Sequence, residues 1–137
     1  MWNGGEGEVA RSRGQSRERL LVVDDDPALG ALVGSVGEAL GFDVAVTESA
    51  ADFIAAFLDR APDVIVLESV LPDRDGIELM RWLVAAQCRA RIVVITRFAL
   101  VYARAMTMLG ETLGGLSVTV LTKPVSQERL ARVLRGV

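Results

Sequence analysis

The segment LLVVDDDP, residues 20–27, decides the fold class of this chain. Four consecutive apolar residues, Leu20 to Val23, run directly into three aspartates and then a proline. An apolar run without polar alternation is typical of a strand that is buried on both faces, and such strands belong to parallel sheets. Proline is favoured in the first turn of a helix. The segment therefore predicts a buried strand, an acidic loop and a helix that begins at Pro27.

The same order of a buried strand followed by a helix recurs along the chain. Short apolar runs predict strands, and longer segments with helical spacing predict helices between them. The predicted strands are 20–23, 43–46, 64–67, 92–95 and 118–121, and the predicted helices are 27–40, 50–59, 77–87, 98–113 and 126–134. Five such units in sequence favour right-handed crossovers with helices on both faces of the sheet. We expect an α/β fold, a flavodoxin-like (βα)5 three-layer sandwich with parallel strand order 2-1-3-4-5.

Domain organisation follows from the length of the chain and from the composition of its first residues. A chain of 137 residues is long enough for one hydrophobic core and short for two. Residues 1–19 mix glycine, serine and both charge signs without an apolar period, so they bury too little surface to become ordered. We expect a flexible N-terminal tail over 1–19 and one domain over 20–137. The tail lacks the apolar stretch of a secretory signal, which favours a cytoplasmic protein.

Composition narrows the chemistry that the domain can perform. A formal net charge of -3 gives no general electrostatic reason to bind nucleic acid, and no apolar run approaches the ~20 residues of a membrane-spanning helix. The chain contains no histidine, which excludes Ser-His and Cys-His pairs as activated nucleophiles. The single cysteine, Cys88, is expected to be a half-buried structural residue. Any chemistry must therefore use carboxylates, hydroxyls and lysine.

Polar residues stand where four of the predicted strands end. Asp24 and Asp25 follow the first strand, Glu68 ends the third, Thr96 ends the fourth, and Lys123 follows the fifth. In an open α/β sheet, ligands bind outside the carboxyl ends of the strands. Carboxylates suit Mg²⁺, and the hydroxyl and the amine suit a phosphoryl group. The alternative is that these are ordinary solvated strand ends, but the convergence of four ends on one edge favours a site.

Four segments of the chain resemble the signature of one protein family. LLVVDDDP (20–27), PDVIVLESVLPDRDG (62–76), VVIT (93–96) and LTKP (121–124) look like the signature segments of response-regulator receiver domains, the CheY-like domains of two-component systems, in the same order. The resemblance covers residues 20–137. It implies a phosphorelay signalling domain and not an enzyme. In that family an aspartate after strand three takes a phosphoryl group from a histidine kinase, and paired acids bind Mg²⁺.

The resemblance assigns roles to individual residues. Asp24 and Asp25 resemble the metal-binding acids, and Val70 would lend a main-chain carbonyl to the same ion. Thr96 resembles the switch hydroxyl, and Lys123 resembles the lysine that contacts the phosphoryl group. Mg²⁺ is therefore the candidate cofactor, and a histidine kinase or a phosphotransfer protein is a candidate partner.

The chain departs from the family pattern at the phosphoacceptor position, where Glu68 stands in place of aspartate. The Glu68 carboxylate lies one methylene, roughly 1.5 Å, further out than that of aspartate. Misplacement by about 1 Å lowers the rate of a reaction governed by positioning ~10²-fold, so we expect impaired phosphotransfer. The fixed charge makes Glu68 a partial mimic of a phosphate. The same carboxylate could coordinate the metal ion or pair with Lys123.

Two further departures lie near the same site. Arg97 follows the switch threonine where receivers usually have a small residue, and its guanidinium could pair with Glu68 or occlude the pocket. Val120 stands where the family commonly has a Tyr or Phe whose rotamer reports phosphorylation. A domain that lacks both the acceptor and the indicator is not expected to operate as a phosphorylation switch.

The predicted fourth helix is expected to carry a partner surface. Its spacing predicts a core-facing stripe, with Leu100 and Met108 off that stripe. The stripe consists of Phe98, Val101, Tyr102, Ala105, Met106 and Leu109. Apolar residues off the stripe suit a partner surface, with ordinary core packing as the alternative. Because helix four, strand five and helix five form the usual output and dimer surface of receivers, we expect an output protein or a second copy of the chain there.

Glycine and serine residues give further expectations about the helices. Gly30, Gly34 and Gly37 predict close packing of helix one on the sheet, since a glycine costs up to ~1 kcal/mol of helix stability relative to alanine. Gly76 predicts a left-handed turn position that opens helix three. Ser126 is the expected N-cap of helix five.

Three functional hypotheses follow. The leading one is a degenerate receiver that binds protein partners in a fixed, phosphorylation-independent state. The second keeps phosphorylation, at Glu68 or at a neighbour such as Asp26 or Ser69. The third comes from another class and is a small phosphatase that uses the acidic edge. Residues 24–28 do not supply the D-x-D-x-[TV] arrangement that a haloacid-dehalogenase-type nucleophile requires.

Overall fold

Five parallel strands form the centre of the structure, a computed structural model that describes Trp2, residues 17–96 and residues 100–137, without the side chains of residues 100 and 102. The strands lie in the order β2-β1-β3-β4-β5, and each neighbouring pair is parallel. Their bounds are β1 (Arg19–Val23), β2 (Asp43–Thr47), β3 (Val64–Glu68), β4 (Arg91–Thr96) and β5 (Val118–Thr122). The predicted α/β class and strand order are confirmed.

Helices connect the strands as the sequence predicts. They are α1 (Pro27–Ala39), α2 (Ala50–Asp59), α3 (Gly76–Ala85), α4 (Leu100–Met108) and α5 (Gln127–Arg135), and a π-helical turn, Leu109–Leu113, directly follows α4. The predicted bounds of the first, second, third and fifth helices agree with these within two residues, and the predicted end of helix four, at residue 113, is the end of the π-helical turn. The predicted start of helix four, at residue 98, lies outside the described residues.

Side-chain caps fix where the first and last helices begin. Asp26 precedes α1, and its carboxylate accepts a hydrogen bond of 3.0 Å from the Ala28 N–H. Ser126 precedes α5, and its hydroxyl accepts a hydrogen bond of 3.1 Å from the Arg129 N–H. Both caps satisfy N–H groups that have no partner within the helix. The predicted N-cap of helix five is confirmed.

The sheet is covered on both faces, because successive residues of each strand point to opposite sides. On one face, α1 and α5 contribute Val33 and Leu130 to a core with the strands. On the other face, α2, α3 and α4 contribute Phe53, Met80 and Met106 to a second core. This arrangement confirms the predicted three-layer sandwich.

The glycines of α1 let the helix backbone approach the sheet closely. A Cβ atom at Gly34 would lie 3.1 Å from a methyl carbon of Val46, and one at Gly37 would lie 2.5 Å from a methyl carbon of Leu20. Gly30 is in similar contact with Val46, at 3.0 Å. The prediction of close packing between helix and sheet is confirmed.

Gly76 is required for a different reason from the predicted one. Among the described residues, positive φ occurs at Gln87 and at three other glycines, so Gly76 does not occupy a left-handed position, and that prediction is wrong. Gly76 is instead the first residue of α3. A Cβ atom there would lie 2.5 Å from the carbonyl oxygen of Ser69 and 2.7 Å from the Met106 methyl carbon. The loop after β3 therefore packs against α4 only if this position has no side chain.

The stripe predicted for helix four is partly wrong. Ala103 and Met106 face the core, whereas Val101 is 76% exposed and Ala105 is also exposed. Two residues along a helix correspond to a rotation of about 200°, so Val101 and Ala105 both lie opposite Ala103. Met108 is exposed, as predicted. Of the remaining predicted stripe residues, Leu109 packs against the core, and Phe98 and the side chain of Tyr102 lie outside the described part of the chain.

The N-terminal segment is described at Trp2 and from residue 17 onward. Trp2 forms an isolated antiparallel bridge with Ala45 of the edge strand β2, and its indole N–H donates to the Ala56 carbonyl at 3.3 Å. The predicted boundary between a tail and a domain stays a prediction. None of the described helices is both long enough and apolar enough to cross a membrane.

Candidate functional site

The residues predicted from the strand ends meet at one edge of the sheet. Asp24 follows β1, Glu68 ends β3, Thr96 ends β4 and Lys123 follows β5. The first three of these are buried, and the Lys123 side chain is 12% exposed. The parallel direction of the strands brings their carboxyl ends to the same edge. The site is therefore a nearly enclosed cluster of two acids, a hydroxyl and an amine.

An ion pair between Glu68 and Lys123 lies at the centre of the cluster. The Lys123 ammonium donates a hydrogen bond to Glu68 Oε2 and lies 3.7 Å from Asp24 Oδ2. The side chains of both acids are less than 5% exposed. Charges that are this deeply buried require a partner of opposite sign, and Lys123 provides it for two acids at once.

Ser69 links Glu68 to Thr96. The Ser69 N–H donates to Glu68 Oε1 at 2.9 Å, and its hydroxyl oxygen lies 3.2 Å from that same atom. The hydroxyl oxygens of Ser69 and Thr96 are 2.9 Å apart, and both residues are fully buried. Sequence reasoning considered Ser69 as an alternative phosphoacceptor and missed this linking position. The available signal was a polar residue inside an otherwise apolar stretch after β3.

The pKa of Asp24 is raised above its ordinary value, chiefly because burial disfavours the charged form. Hydrogen bonding from the Asp26 N–H, at 2.8 Å, and the nearby Lys123 ammonium act in the opposite direction. The neighbouring carboxylates of Glu68 and Asp25 raise the pKa further. The surroundings of Asp24 thus favour a bound cation or a bound proton at its own carboxylate.

The acidic residues have the chemistry of a site for a divalent cation. Asp24, Asp25 and Glu68 each offer a carboxylate oxygen, and these atoms all lie within 4.8 Å of one another. Hard oxygen donors of this kind fit Mg²⁺. The Lys123 ammonium already contacts two of the three acids, so a metal ion would compete with it.

The structure leaves some predicted residues at the margin of the cluster. Val70 lies in the loop after β3, where it pairs with Asp75 in an isolated bridge, and its role as a carbonyl ligand stays a prediction. Asp26 caps α1. Val120 is partly buried against the core in β5. Arg97 lies outside the described residues, so its contact with Glu68 also stays a prediction.

Cys88 is away from this edge of the sheet and is buried, more fully than the half-burial that was expected. Burial raises the pKa of its thiol, although its sulfur accepts a hydrogen bond of 3.4 Å from the Ala90 N–H. A thiol with a raised pKa is a poor nucleophile and a poor metal ligand. Cys88 is not part of the site.

The fold and the acid, hydroxyl and lysine site together define a class of signalling domain. Residues 20–135 match the family model of the response regulator receiver domain. The chain belongs to this family, whose members act in two-component signal transduction.

Two curated proteins have sequences similar to that of this chain. The chain is 37% identical over 118 residues to the transcriptional regulatory protein TrcR of Mycobacterium tuberculosis. The matched region covers 86% of this chain and 44% of TrcR. It is also 38% identical over 80 residues to the DNA-binding response regulator MtrA of Mycolicibacterium smegmatis. That matched region covers 58% of this chain and 35% of MtrA. The chain thus spans less than half the length of these curated relatives.

A solved structure supports the fold independently. A CheY-like receiver domain protein from Methanospirillum hungatei superposes with a TM-score of 0.76 at 21% identity, covering 88% of this chain and 93% of the other. At that level of identity, the likeness establishes the fold alone.

Proposed function

We propose that this chain is a receiver domain held in one phosphorylation-independent state, and that it signals through contacts with other proteins. The observation that carries the proposal is the buried ion pair between Glu68 and Lys123. In the family, the position of Glu68 receives a phosphoryl group and the position of Lys123 contacts it. Here the two side chains bond to each other, so the lysine has an anionic partner without any phosphoryl transfer.

Glu68 is poorly placed to accept a phosphoryl group. Its Oε2 accepts from Lys123 and its Oε1 accepts from the Ser69 N–H, and the residue is 3% exposed. The longer side chain displaces the carboxylate by roughly 1.5 Å relative to aspartate, and about 1 Å of misplacement costs ~10²-fold in such reactions. Phosphoryl transfer to Glu68 is therefore expected to be slow or absent.

Mg²⁺ remains part of the proposal as a competitor of Lys123. Asp24, Asp25 and Glu68 would hold the ion, with Val70 as a further ligand through its carbonyl. When bound, Mg²⁺ supplies positive charge that neutralises oxygen ligands and phosphoryl oxygens. Because Lys123 supplies positive charge at the same place, we expect weak Mg²⁺ binding that strengthens when the lysine is removed.

The partners are proposed to be proteins. TrcR is described as a transcriptional regulator and MtrA as DNA-binding, but each is more than twice as long as the part that this chain matches. We propose that the domain itself acts through helix α4, strand β5 and helix α5 on an output protein or on a second copy. A histidine kinase or phosphotransfer protein is a further proposed partner. The proposed setting is the cytoplasm, with no enzymatic activity and no direct contact with nucleic acid.

Intact-mass measurement after incubation with acetyl phosphate and Mg²⁺ tests the proposal. Wild type and a Glu68→Asp variant are compared under identical conditions. We expect a phosphoryl adduct on the variant alone, because aspartate restores the reach of the acceptor within an otherwise complete site. A stoichiometric adduct on wild type would refute the fixed state. Peptide mapping would then distinguish Glu68 from Asp26 and Ser69.

A phosphatase remains the alternative from another class, and the same preparation tests it. We expect no hydrolysis of p-nitrophenyl phosphate by wild type, because both oxygens of Glu68 are already engaged. Turnover that is abolished by Glu68→Gln would favour the phosphatase over a signalling domain.

A further inference from the structure

Trp2 lies at the edge of the sheet opposite the proposed output surface. The strand order places β2 at one edge and β5 at the other. Trp2 pairs with Ala45 of β2 in an isolated antiparallel bridge, and its indole N–H donates to the Ala56 carbonyl of α2 at 3.3 Å. The main chain of Trp2 is therefore held by a strand, and its side chain by a helix.

The outer side of β2 suits the binding of an extended segment. The Asp43 N–H donates to the Glu18 carbonyl at 2.9 Å, so Asp43 directs its main-chain groups toward β1. These directions alternate along a strand, so Ala45 also faces β1, while Val44 and Val46 direct their main-chain groups outward. The outward groups of an edge strand are a template for pairing with another extended segment. The antiparallel bridge places Trp2 on that template.

The indole lies where two small residues leave room for it. Ala45 and Ala56 are both fully buried, and Trp2 packs against the core that contains them. The Ala56 carbonyl also accepts the helical hydrogen bond of the Arg60 N–H at 3.0 Å. Because a carbonyl oxygen has two lone pairs, the indole N–H is satisfied without breaking α2. An apolar ring with a satisfied N–H is typical of the tryptophans that anchor binding segments.

We propose that this surface, formed by the outer edge of β2 and by Ala56 of α2, is a binding site for an extended segment that carries a tryptophan. The chain's own N-terminus occupies the site through Trp2, and the site stays closed to other proteins until Trp2 leaves. Because 14 residues separate Trp2 from Arg17, the tether keeps the indole near the site at an effective concentration on the order of 1 mM. The inference is independent of the proposed function, because the site involves none of the residues around Glu68.

A site that recognises tryptophan should also bind the segment when it is supplied as a separate molecule. The alternative is that Trp2 rests on the domain through general apolar contact, without a site for it. We would titrate the isotopically labelled full chain with the peptide MWNGGEGE, residues 1–8, and follow the amide resonances of Ala45 and Ala56 by NMR. Wild type, Trp2→Ala and Trp2→Phe are compared.

We expect saturable shifts in Trp2→Ala with a Kd below about 1 mM, because the tethered indole fills most copies of the site only if the Kd is below its effective concentration. In wild type the apparent Kd should be at least about two-fold weaker, since only part of the molecules have an open site. Trp2→Phe loses the N–H that bonds to Ala56 and should give an intermediate value. If Trp2→Ala does not fold, Trp2→Phe provides the test, and it should bind the peptide more tightly than wild type does.

A matched peptide that carries Trp2→Ala should give no saturable shift with any of the three proteins. Three results would overturn the inference: a Kd above about 1 mM for Trp2→Ala, equal affinity of the peptide for wild type and for the variants, or equal binding of the two peptides. The last would indicate general association with apolar surface. The titration uses no phosphoryl donor, so its result is independent of the mass assay.

Discussion

Asp24 combines a proposed metal-binding position with an environment that disfavours its charge. Its side chain is 2% exposed, and burial raises its pKa. An acid that holds its proton more tightly in the folded state lowers the free energy of unfolding as pH rises from its unfolded pKa to its raised folded pKa. At neutral pH, Asp24 therefore opposes folding, which fits its proposed role in binding a cation.

Asp24→Asn should raise the denaturation midpoint at pH 7. Asparagine keeps a side-chain oxygen that can accept from the Asp26 N–H, while the buried charge is removed. The gain should shrink as pH falls toward 4, because the wild-type acid then becomes protonated. Urea titrations at several pH values measure this, and Asp25→Asn, at the exposed neighbour, should give a smaller gain, because it removes only the weakest of the causes that raise the pKa of Asp24. A variant less stable than wild type at pH 7 would contradict the reasoning.

The pKa of Asp73 is shifted downward, in the direction opposite to that of Asp24. It lies in the loop after β3, and its carboxylate accepts hydrogen bonds from the Ala50 N–H at 2.9 Å and the Ala51 N–H at 3.1 Å, at the start of α2. The bond from Ala50 is the main cause that lowers the pKa of Asp73. Its contribution to stability is therefore present above the ordinary pKa of 3.8 and is lost as pH falls through the depressed folded value.

Asp73→Asn should cause a small loss of stability at pH 7 that disappears in acid. The effect is small because Asp73 is exposed and solvent screens its charge. Asp59→Asn, at the other end of α2, is the matched control. A negative charge near a helix C-terminus is unfavourable, so that variant should be neutral or slightly stabilising. Equal losses of stability in both variants would count against a specific stabilising contact between Asp73 and the start of α2.

At the scale of elements, the packing of α1 depends on how closely its glycines approach β1 and β2. Gly37→Ala should lower the free energy of unfolding by about 1–3 kcal/mol despite the better helix propensity of alanine, because the new methyl group meets fully buried Leu20. Gly30→Ala should cost less, since Val46 is 41% exposed and can move. Urea unfolding of both variants gives the comparison. A Gly37→Ala protein as stable as wild type would contradict the close contact.

The strands and the strand-end residues could be predicted from sequence because each depends on local pattern. An apolar run such as Leu20 to Val23 identifies a strand without knowledge of its neighbours, and the sheet rule then brings Asp24, Glu68, Thr96 and Lys123 to one edge. Ser69 could not be placed in this way. Its contact with Thr96 depends on the side-chain directions of two different strand ends, which sequence spacing does not specify.

The errors in α4 and at Gly76 have a common physical origin. The buried face of α4 contains Ala103 and Met106, and the helix passes into a π-helical turn after Met108. The wrongly predicted residues, Val101 and Ala105, lie in the regular part of the helix before that turn, so the turn does not explain them. Gly76 is required by the Ser69 carbonyl oxygen, across the loop that precedes α3, and by the Met106 methyl group, which is distant in sequence. Tertiary contacts decide both features.

For the whole molecule, the two cores share one sheet. Leu20 and Val22 belong to one core, and Leu21 and Val23 to the other. Disrupting one core therefore disturbs strands that the other core needs, which predicts a single cooperative unfolding transition. In a Trp2→Phe background, Trp82 fluorescence and far-ultraviolet circular dichroism should give coincident urea curves. Separate midpoints would show that the two faces unfold independently.

The ion pair between Glu68 and Lys123 has a consequence for the lifetime of a signal. A phosphoryl group can be removed, so an ordinary receiver returns to its unphosphorylated state at the rate at which that group is hydrolysed. A carboxylate that is part of the side chain is never removed. Under the proposed function, the strength of the output follows the number of molecules present, and the cell would control it through synthesis and degradation of the protein.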